Sequence, residues 1–265
     1  LKSSAICRLI TLFRRYIEKL YIITDSMTRQ NKDPQQISIF DTLLSLPLFA
    51  GTSRTKLEEI VGNTRFHFIK YTAGQPIINT GDSCSHVKFI ISGSVRISIS
   101  NANDRFTVSQ TLDAPEVIAP EYLFGRHTQY PCKATALTDT GIMQISKNDY
   151  TRLLKSDHVF MFNFLNMLSV KAQQAEEGIM SLNTGSLDER IAYWITSLTQ
   201  GSAKDITLTA RKRDLYSIFG MQRSSFFAAL DRMKEAGMID YDKNTDEIQV
   251  TSRKCLMNLL RQDNS

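Results

Sequence analysis

The four cysteines of this chain, Cys7, Cys84, Cys132 and Cys255, form no CxxC pair. That excludes a zinc knuckle and a sequence-local iron–sulfur site, and at 265 residues it argues against a disulfide framework. Free thiols in a reducing cytoplasm are the expectation. The histidines His67, His86, His127 and His158 are equally isolated, so no metal or haem ligand set is expected. GxSxG, Walker, HExxH and clustered His/Asp/Glu arrangements are all absent, which leaves no motif for an enzyme. No apolar run of membrane length occurs either. In residues 1–26 Ile6, Leu9 or Ile10, Phe13, Ile17 and Leu20 would share a helix side, but Arg14, Arg15, Glu18 and Lys19 interrupt any apolar run of membrane length. No small-residue cleavage site follows. This opening is either an amphipathic helix or upstream sequence before a native start at Met27. A cofactor is not expected, nor is a membrane partner.

An excess of one charge sign is also lacking, with 32 Lys and Arg against 27 Asp and Glu. The formal net charge is +5, and residues 1–26 hold five basic against two acidic residues. Overall charge is thus a weak pointer to nucleic acid, and a local basic face must carry that case. At 42% hydrophobic and 22% charged residues, the composition is that of a globular protein with chain enough for about two domains.

Residues 37–61 show helical spacing, and Thr52 or Ser53 is placed to cap a short helix ending at Val61. From Thr64 to Ile145 the period becomes two. Ser94–Ser100 turns Val95, Ile97 and Ile99 inward and Arg96, Ser98 and Ser100 outward. Further strands are predicted over 65–71, 76–79, 86–92, 106–112, 116–118, 133–137 and 141–145. Short strands at such spacing predict an antiparallel barrel or roll. Residues 158–182 contain no proline, and Leu165, Leu168, Ala172, Ala175, Ile179 and Leu182 repeat as a coiled-coil seam. That seam predicts a dimer contact, although an intramolecular helix fits the same spacing. Ser186-Leu-Asp-Glu189 is a capping box for the next helix.

The most informative stretch is 207–250. Leu215, Ile218 and Phe219 share one helical face, Gly220 supplies a turn, and Phe226, Leu230 and Met233 form the buried stripe of a second helix. Ile239–Tyr241 and Glu247–Val250 follow as a hairpin wing. A helix so anchored presents its first turn, here Arg223 and Ser224, to a DNA major groove, and arginine is shaped to grip guanine O6 and N7. Thr209, Gln222 and Ser225 are candidate phosphate contacts; Lys204, Arg211, Lys212 and Arg213 either add counterion-release affinity or form a plain solvated charge cluster. Phe227 would touch a thymine methyl or pack under the wing.

A strand roll, a long helix and a winged helix-turn-helix in this order resemble the Crp/Fnr family of bacterial transcription regulators. Tyr71-x-x-Gly74-x-x-Ile77-x-x-x-Gly81-Asp82 and Val87-Lys-Phe-Ile-Ile-Ser-Gly93-Ser-Val-Arg-Ile97 are similar to the front half of a cyclic-nucleotide-binding roll. Gly220-Met-Gln-Arg-Ser-Ser-Phe, through Met233-Lys-Glu-Ala-Gly237-Met-Ile239, is similar to the family's DNA-reading helix. The resemblance implies an α+β fold with a jelly-roll type N-terminal sensor. The expected divisions are an extension over 1–36, the roll over 37–155, a dimerisation helix over 156–184 and the DNA-binding unit over 185–265.

The family's nucleotide cassette departs here. Ala119-Pro120 stands where the ribose-binding Gly-Glu belongs, and Tyr130-Pro131 where the phosphate-binding Arg-Ser belongs. Proline offers no N–H and tyrosine no charge. Cyclic AMP or GMP bound in the usual way is therefore not expected. An effector of unknown kind would sit by Pro120, Glu121, Tyr122, Tyr130, Pro131 and Cys132. In the reading helix the family's basic Arg223 is kept, its acidic neighbour is Ser224, and its second basic position is Ala228. The function implied is a homodimeric, sequence-specific transcriptional regulator, with double-stranded DNA and RNA polymerase as partners. The competing function is a ligand-binding regulatory module without DNA binding.

Overall fold

The alternation seen at 94–100 recurs and builds eight antiparallel strands: β1 (Phe66–Tyr71), β2 (Pro76–Ile78), β3 (His86–Ser92), β4 (Ser94–Ser100), β5 (Phe106–Asp113), β6 (Glu116–Ile118), β7 (Cys132–Ala136) and β8 (Thr140–Ser146). The computed structural model describes residues 39–101, 105–180 and 185–262; the expectations for 1–38 and for Leu182 lie outside them. One sheet runs β1-β8-β3-β6, and β5-β4-β7-β2 belong to a second. Val87, Phe89, Val95, Leu112, Ile118, Ala134 and Ile145 are buried between them in the core of a roll. The fold class is α+β. Gly93 joins β3 to β4 at φ 80°, and a Cβ there would lie 2.5 Å from the Asp139 carbonyl oxygen, so only glycine closes this turn. Ile99, expected to face inward, is 38% exposed because it sits at the open end of β4.

Three helices brace the roll. α1 (Ile39–Ser45) leads through a 3-10 turn at Pro47–Phe49 to α2 (Arg54–Asn63), which Ser53 caps by accepting from the Lys56 N–H. α3 (Lys147–Ser156) is capped in the same way by Ser146. The long helix α4 (His158–Met180) has 23 residues, about 35 Å at 1.5 Å per residue. Phe160 meets the Phe49 ring edge-on at 5.7 Å, and Phe164 meets Tyr150 at 5.5 Å and Phe124 at 5.8 Å. Phe160 is fully buried, which contributes about 2–3 kcal/mol to holding the helix. Asn163 donates to the carbonyls of Leu48 and Ala50, each at 2.9 Å.

Next come α5 (Leu187–Ser197), β9 (Lys204–Ala210), α6 (Lys212–Ile218), α7 (Arg223–Glu235), the hairpin β10 (Ile239–Tyr241) and β11 (Glu247–Val250), and α8 (Arg253–Gln262). The capping box Ser186/Glu189 starts α5. Neither β9 nor α8 was anticipated from the sequence. β9 pairs with β11 on one side and with β5 of the roll on the other, so a single seven-stranded sheet runs β10-β11-β9-β5-β4-β7-β2. The seam pairs Phe106 with Ala210, Thr107 with Thr209, Val108 with Leu208 and Ser109 with Thr207. Lys204 meets Asp113 at 2.6 Å beside it, and the buried Gln110 side chain accepts from the Gln200 N–H at 2.8 Å. Among the described residues no helix is long and apolar enough to cross a membrane.

Candidate functional site

Two places gather polar groups on an apolar frame. The first is the turn between β6 and β7. Ala119 takes a left-handed conformation, φ 44°, before the 3-10 turn Pro120–Tyr122; for a residue with a Cβ this costs about 1–2 kcal/mol. The turn aims Glu121 at α4, where Lys171 Nζ donates to Glu121 Oε1 at 2.7 Å. Glu121 Oε2 is buried and has no partner among the described residues. Tyr130 is 2% exposed and its hydroxyl donates to the His86 carbonyl at 2.9 Å; burial raises its phenol far above the usual range. Burial also lifts the Cys84 thiol and pushes Cys132 up to about 11. Both thiols are buried, the opposite of the exposed, electropositive setting a reactive cysteine needs. Among the described residues no three His, Cys, Asp or Glu side chains converge as a metal site requires.

The second place is the outer face of α7. Phe226, Ala229, Leu230 and Met233 are buried on its inner face, against Leu215 and Phe219 of the preceding helix and turn. The Phe219 and Phe226 rings stack at 6.2 Å. Gly220 turns the chain at φ 63°. This leaves Gln222, Arg223, Ser224, Ser225 and Ala228 exposed in the first two turns, with Phe227 half-buried. Arg223 lies over the Phe227 ring, 5.6 Å from its centre. Further along, Arg232 forks onto Asp188 of α5, and Asp231 accepts from the Tyr241 hydroxyl and from Lys243. Lys234 pairs with Asp240 at 2.7 Å. The second half of the helix is thereby neutralised by carboxylates, whereas Arg211, Arg213 and Arg223 are exposed and make no ion pair among the described residues.

Residues 68–157 match the cyclic nucleotide-binding domain. The catabolite activator protein of Thermus thermophilus is similar over 82% of this chain and 99% of its own, at 20% identity and a TM-score of 0.48. The c-di-GMP-responsive regulator CLP of Xanthomonas campestris gives 76% and 100%, at 17% identity and a TM-score of 0.46. FixK2 of Bradyrhizobium japonicum gives 74% and 97%, at 16% identity and a TM-score of 0.41. No curated protein matches the chain. Likeness at this level leaves the chemistry to the residues themselves.

Those residues do not fit a cyclic nucleotide. At the positions the resemblance assigns to ribose and phosphate, Pro120, Tyr130 and Pro131 carry no charge; of the nearby lysines, Lys171 is engaged by Glu121 and Lys88, across from Ile118, donates to Gln144 at 2.6 Å. An anion buried here without a cation would cost several kcal/mol. Arg126, in the loop before β7, is exposed.

The structure places the sequence-derived residues unevenly. Pro120, Glu121 and Tyr122 share one turn, and Tyr130, Pro131 and Cys132 follow at the start of β7. Gln222, Arg223, Ser224, Ser225 and Ala228 share the open end of α7. Thr209 stands apart. It lies within the sheet, directly across from Glu247 and Thr107, and the facing carboxylate makes it a poor place for a phosphate. Lys204 is held by Asp113, and Lys212 is 7% exposed with its amine on the Asp242 carbonyl at 2.6 Å, so neither extends a basic face. Ile218, expected in the core of the helix pair, is 51% exposed, because α6 ends there and Phe219 takes the inward place. The Tyr241–Asp231 bond was missed. Its signal was an aromatic hydroxyl in a wing strand ten residues from a carboxylate on the helix.

Proposed function

We propose that this chain is a sequence-specific DNA-binding transcriptional regulator that acts as a homodimer, and that its roll receives a signal other than a cyclic nucleotide bound in the usual way. The observation that carries this is the outer face of α7. A helix anchored by four buried side chains presents Arg223, Ser224, Ser225 and Ala228 to solvent, beside the exposed Arg211 and Arg213. Such a face suits a major groove, with Arg223 on a guanine and Gln222 and Ser225 on phosphates. The domain match over 68–157 supports the sensor half of the reading.

The dimer contact belongs to α4. Phe160, Phe164, Met167, Lys171 and Gly178 face the protein's own core; of the expected seam, Leu168 is half-buried against that core as well, whereas Leu165, Ala172, Ala175 and Ile179 are exposed. Phe162, Leu165 and Ile179 are 63%, 48% and 69% exposed, which is a high apolar exposure for a lone helix. A second copy covers them, and the two reading helices then meet successive major grooves. The divisions at 155 and 184 separate sensor, dimer helix and DNA-binding unit, and RNA polymerase is the partner downstream. The test is selection of bound sequences from randomised duplex DNA, with the purified chain and no added ligand. A palindrome with half-sites one helical turn apart is the expected result. Recovery of unenriched DNA, held only by a salt-sensitive weak interaction, would remove the reading.

A further inference from the structure

Arg223 is exposed without being loose. Residues 223, 227 and 231 fall at i, i+4 and i+8, on one edge of α7. The Arg223 guanidinium sits 5.6 Å from the centre of the Phe227 ring, inside the range of a cation–π contact. Phe227 is itself held on two sides: it tilts against Tyr241 of β10 at 6.3 Å and meets Phe226 edge-on at 6.0 Å. Tyr241 is 6% exposed, and it is locked by its hydroxyl on Asp231, while Lys234 donates to its carbonyl at 3.0 Å. Wing strand and helix edge therefore close into one bracket, with the arginine at its open end.

We propose that Phe227, clamped by Tyr241, is a positioning residue for Arg223. It holds the guanidinium at one place on the helix edge before DNA arrives, and so sharpens the choice of base pair without touching the duplex. This rests on the reading of α7 as the DNA-reading helix. A flexible arginine surrenders its rotamer freedom on binding any sequence; one held on a ring surrenders less, and meets only a guanine at the right place. Leucine at 227 would keep the apolar packing under the wing and lose the π face. Tyrosine would keep both.

The experiment uses the full chain with Phe227→Leu, Phe227→Tyr, Arg223→Ala and the double variant Arg223→Ala/Phe227→Leu. Each is measured on the duplex selected by the unaltered protein and on its single-base-pair variants. Phe227→Leu should lower preference about two- to fivefold, at the same base pair that Arg223→Ala affects. Phe227→Tyr should restore it, and Phe227→Leu should add nothing in the Arg223→Ala background. Unchanged preference with Phe227→Leu, loss at a different base pair, or further loss in that background would each overturn the proposal. A second readout needs no DNA: the Arg223 Nε proton should show a ring-current shift that Phe227→Leu abolishes and Phe227→Tyr keeps. If the unaltered protein selects no sequence, the DNA reading fails on its own, and this resonance still decides the bracket; a resonance that Phe227→Leu leaves in place overturns it.

Discussion

Lys171, in the middle of the long helix, donates to Glu121 of the turn between β6 and β7 at 2.7 Å, and so ties the roll's most irregular turn to the helix that carries the exposed apolar stripe. The two side chains are about equally accessible, 31% and 30%, but one carboxylate oxygen of Glu121 is buried without a partner among the described residues. Taking away the cation leaves a half-buried negative charge, which is a larger loss than breaking a surface pair. Lys171→Met should therefore destabilise the fold by about 1–3 kcal/mol in urea denaturation. In the double variant with Glu121→Gln the loss should be smaller than the sum of the two single losses, as for groups in contact. Additive losses would mean that the pair couples nothing.

The two faces of α4 should respond oppositely to change. Leu165 is 48% exposed and Phe160 is fully buried. Leu165→Asp should leave thermal stability at low protein concentration nearly unaltered and convert a dimer to a monomer in sedimentation analysis, because it puts a charge in an apolar seam. Phe160→Ala should cost about 3–5 kcal/mol through the cavity it opens beside Phe49. A Leu165→Asp protein that still sediments as a dimer would take the interface away from this helix.

What the sequence shows of this fold depends on how local the signal is. The eight strands of the roll fall within a residue of where alternation puts them at every end, since one buried face enforces the period of two. The capping box at Ser186 and the buried stripe Phe226, Leu230, Met233 were legible for the same reason: their partners lie within one or two turns. The seam between β5 and β9 was not. Ile206, Leu208 and Ala210 do alternate, yet nothing local names a partner about a hundred residues earlier. The burial of Lys212 was equally hidden, because only the folded hairpin brings the Asp242 carbonyl to its amine. In the candidate site, Arg223 and its exposed neighbours were legible from helical spacing, whereas the Phe227–Tyr241–Asp231 bracket needs the wing folded back on the helix.

Asp149 gives the pH dependence a defined sign. Its side chain is only 10% exposed; the Ser146 hydroxyl donates to it at 2.7 Å, and Arg152 pairs with it. The Ser146 hydrogen bond, aided by Arg152, holds its carboxyl below the usual carboxylate range. A depressed folded value means stability that is fully present above the unfolded value, near about 3.9, and lost as pH falls through the folded value. Asp149→Asn removes that term. Between pH 4 and lower pH the unaltered protein should lose more stability than the Asp149→Asn variant, in urea titrations at matched salt. Parallel acid limbs would show that Asp149 contributes no linkage.

The only tryptophan of the chain reports on the shared sheet. Trp194 of α5 packs between Phe106 of β5 at 5.3 Å and Phe219 at 5.5 Å, so its ring spans the roll and the C-terminal helices. Around it the seam is held by backbone pairing from Phe106 to Ser109, by Lys204 on Asp113, and by Gln110 on the Gln200 N–H. Units joined so closely should unfold together. At fixed protein concentration, tryptophan emission and far-UV circular dichroism should follow one urea curve. Gln110 is 4% exposed, and Gln110→Ala leaves the Gln200 N–H without its acceptor, a loss of about 1–3 kcal/mol placed at the seam itself. In that variant the emission should shift at lower urea than the dichroism, as the C-terminal unit parts from the roll before either melts. Two separate curves in the unaltered protein would mean that the seven-stranded sheet does not bind the two units into one cooperative body, and that the seam opens readily in solution.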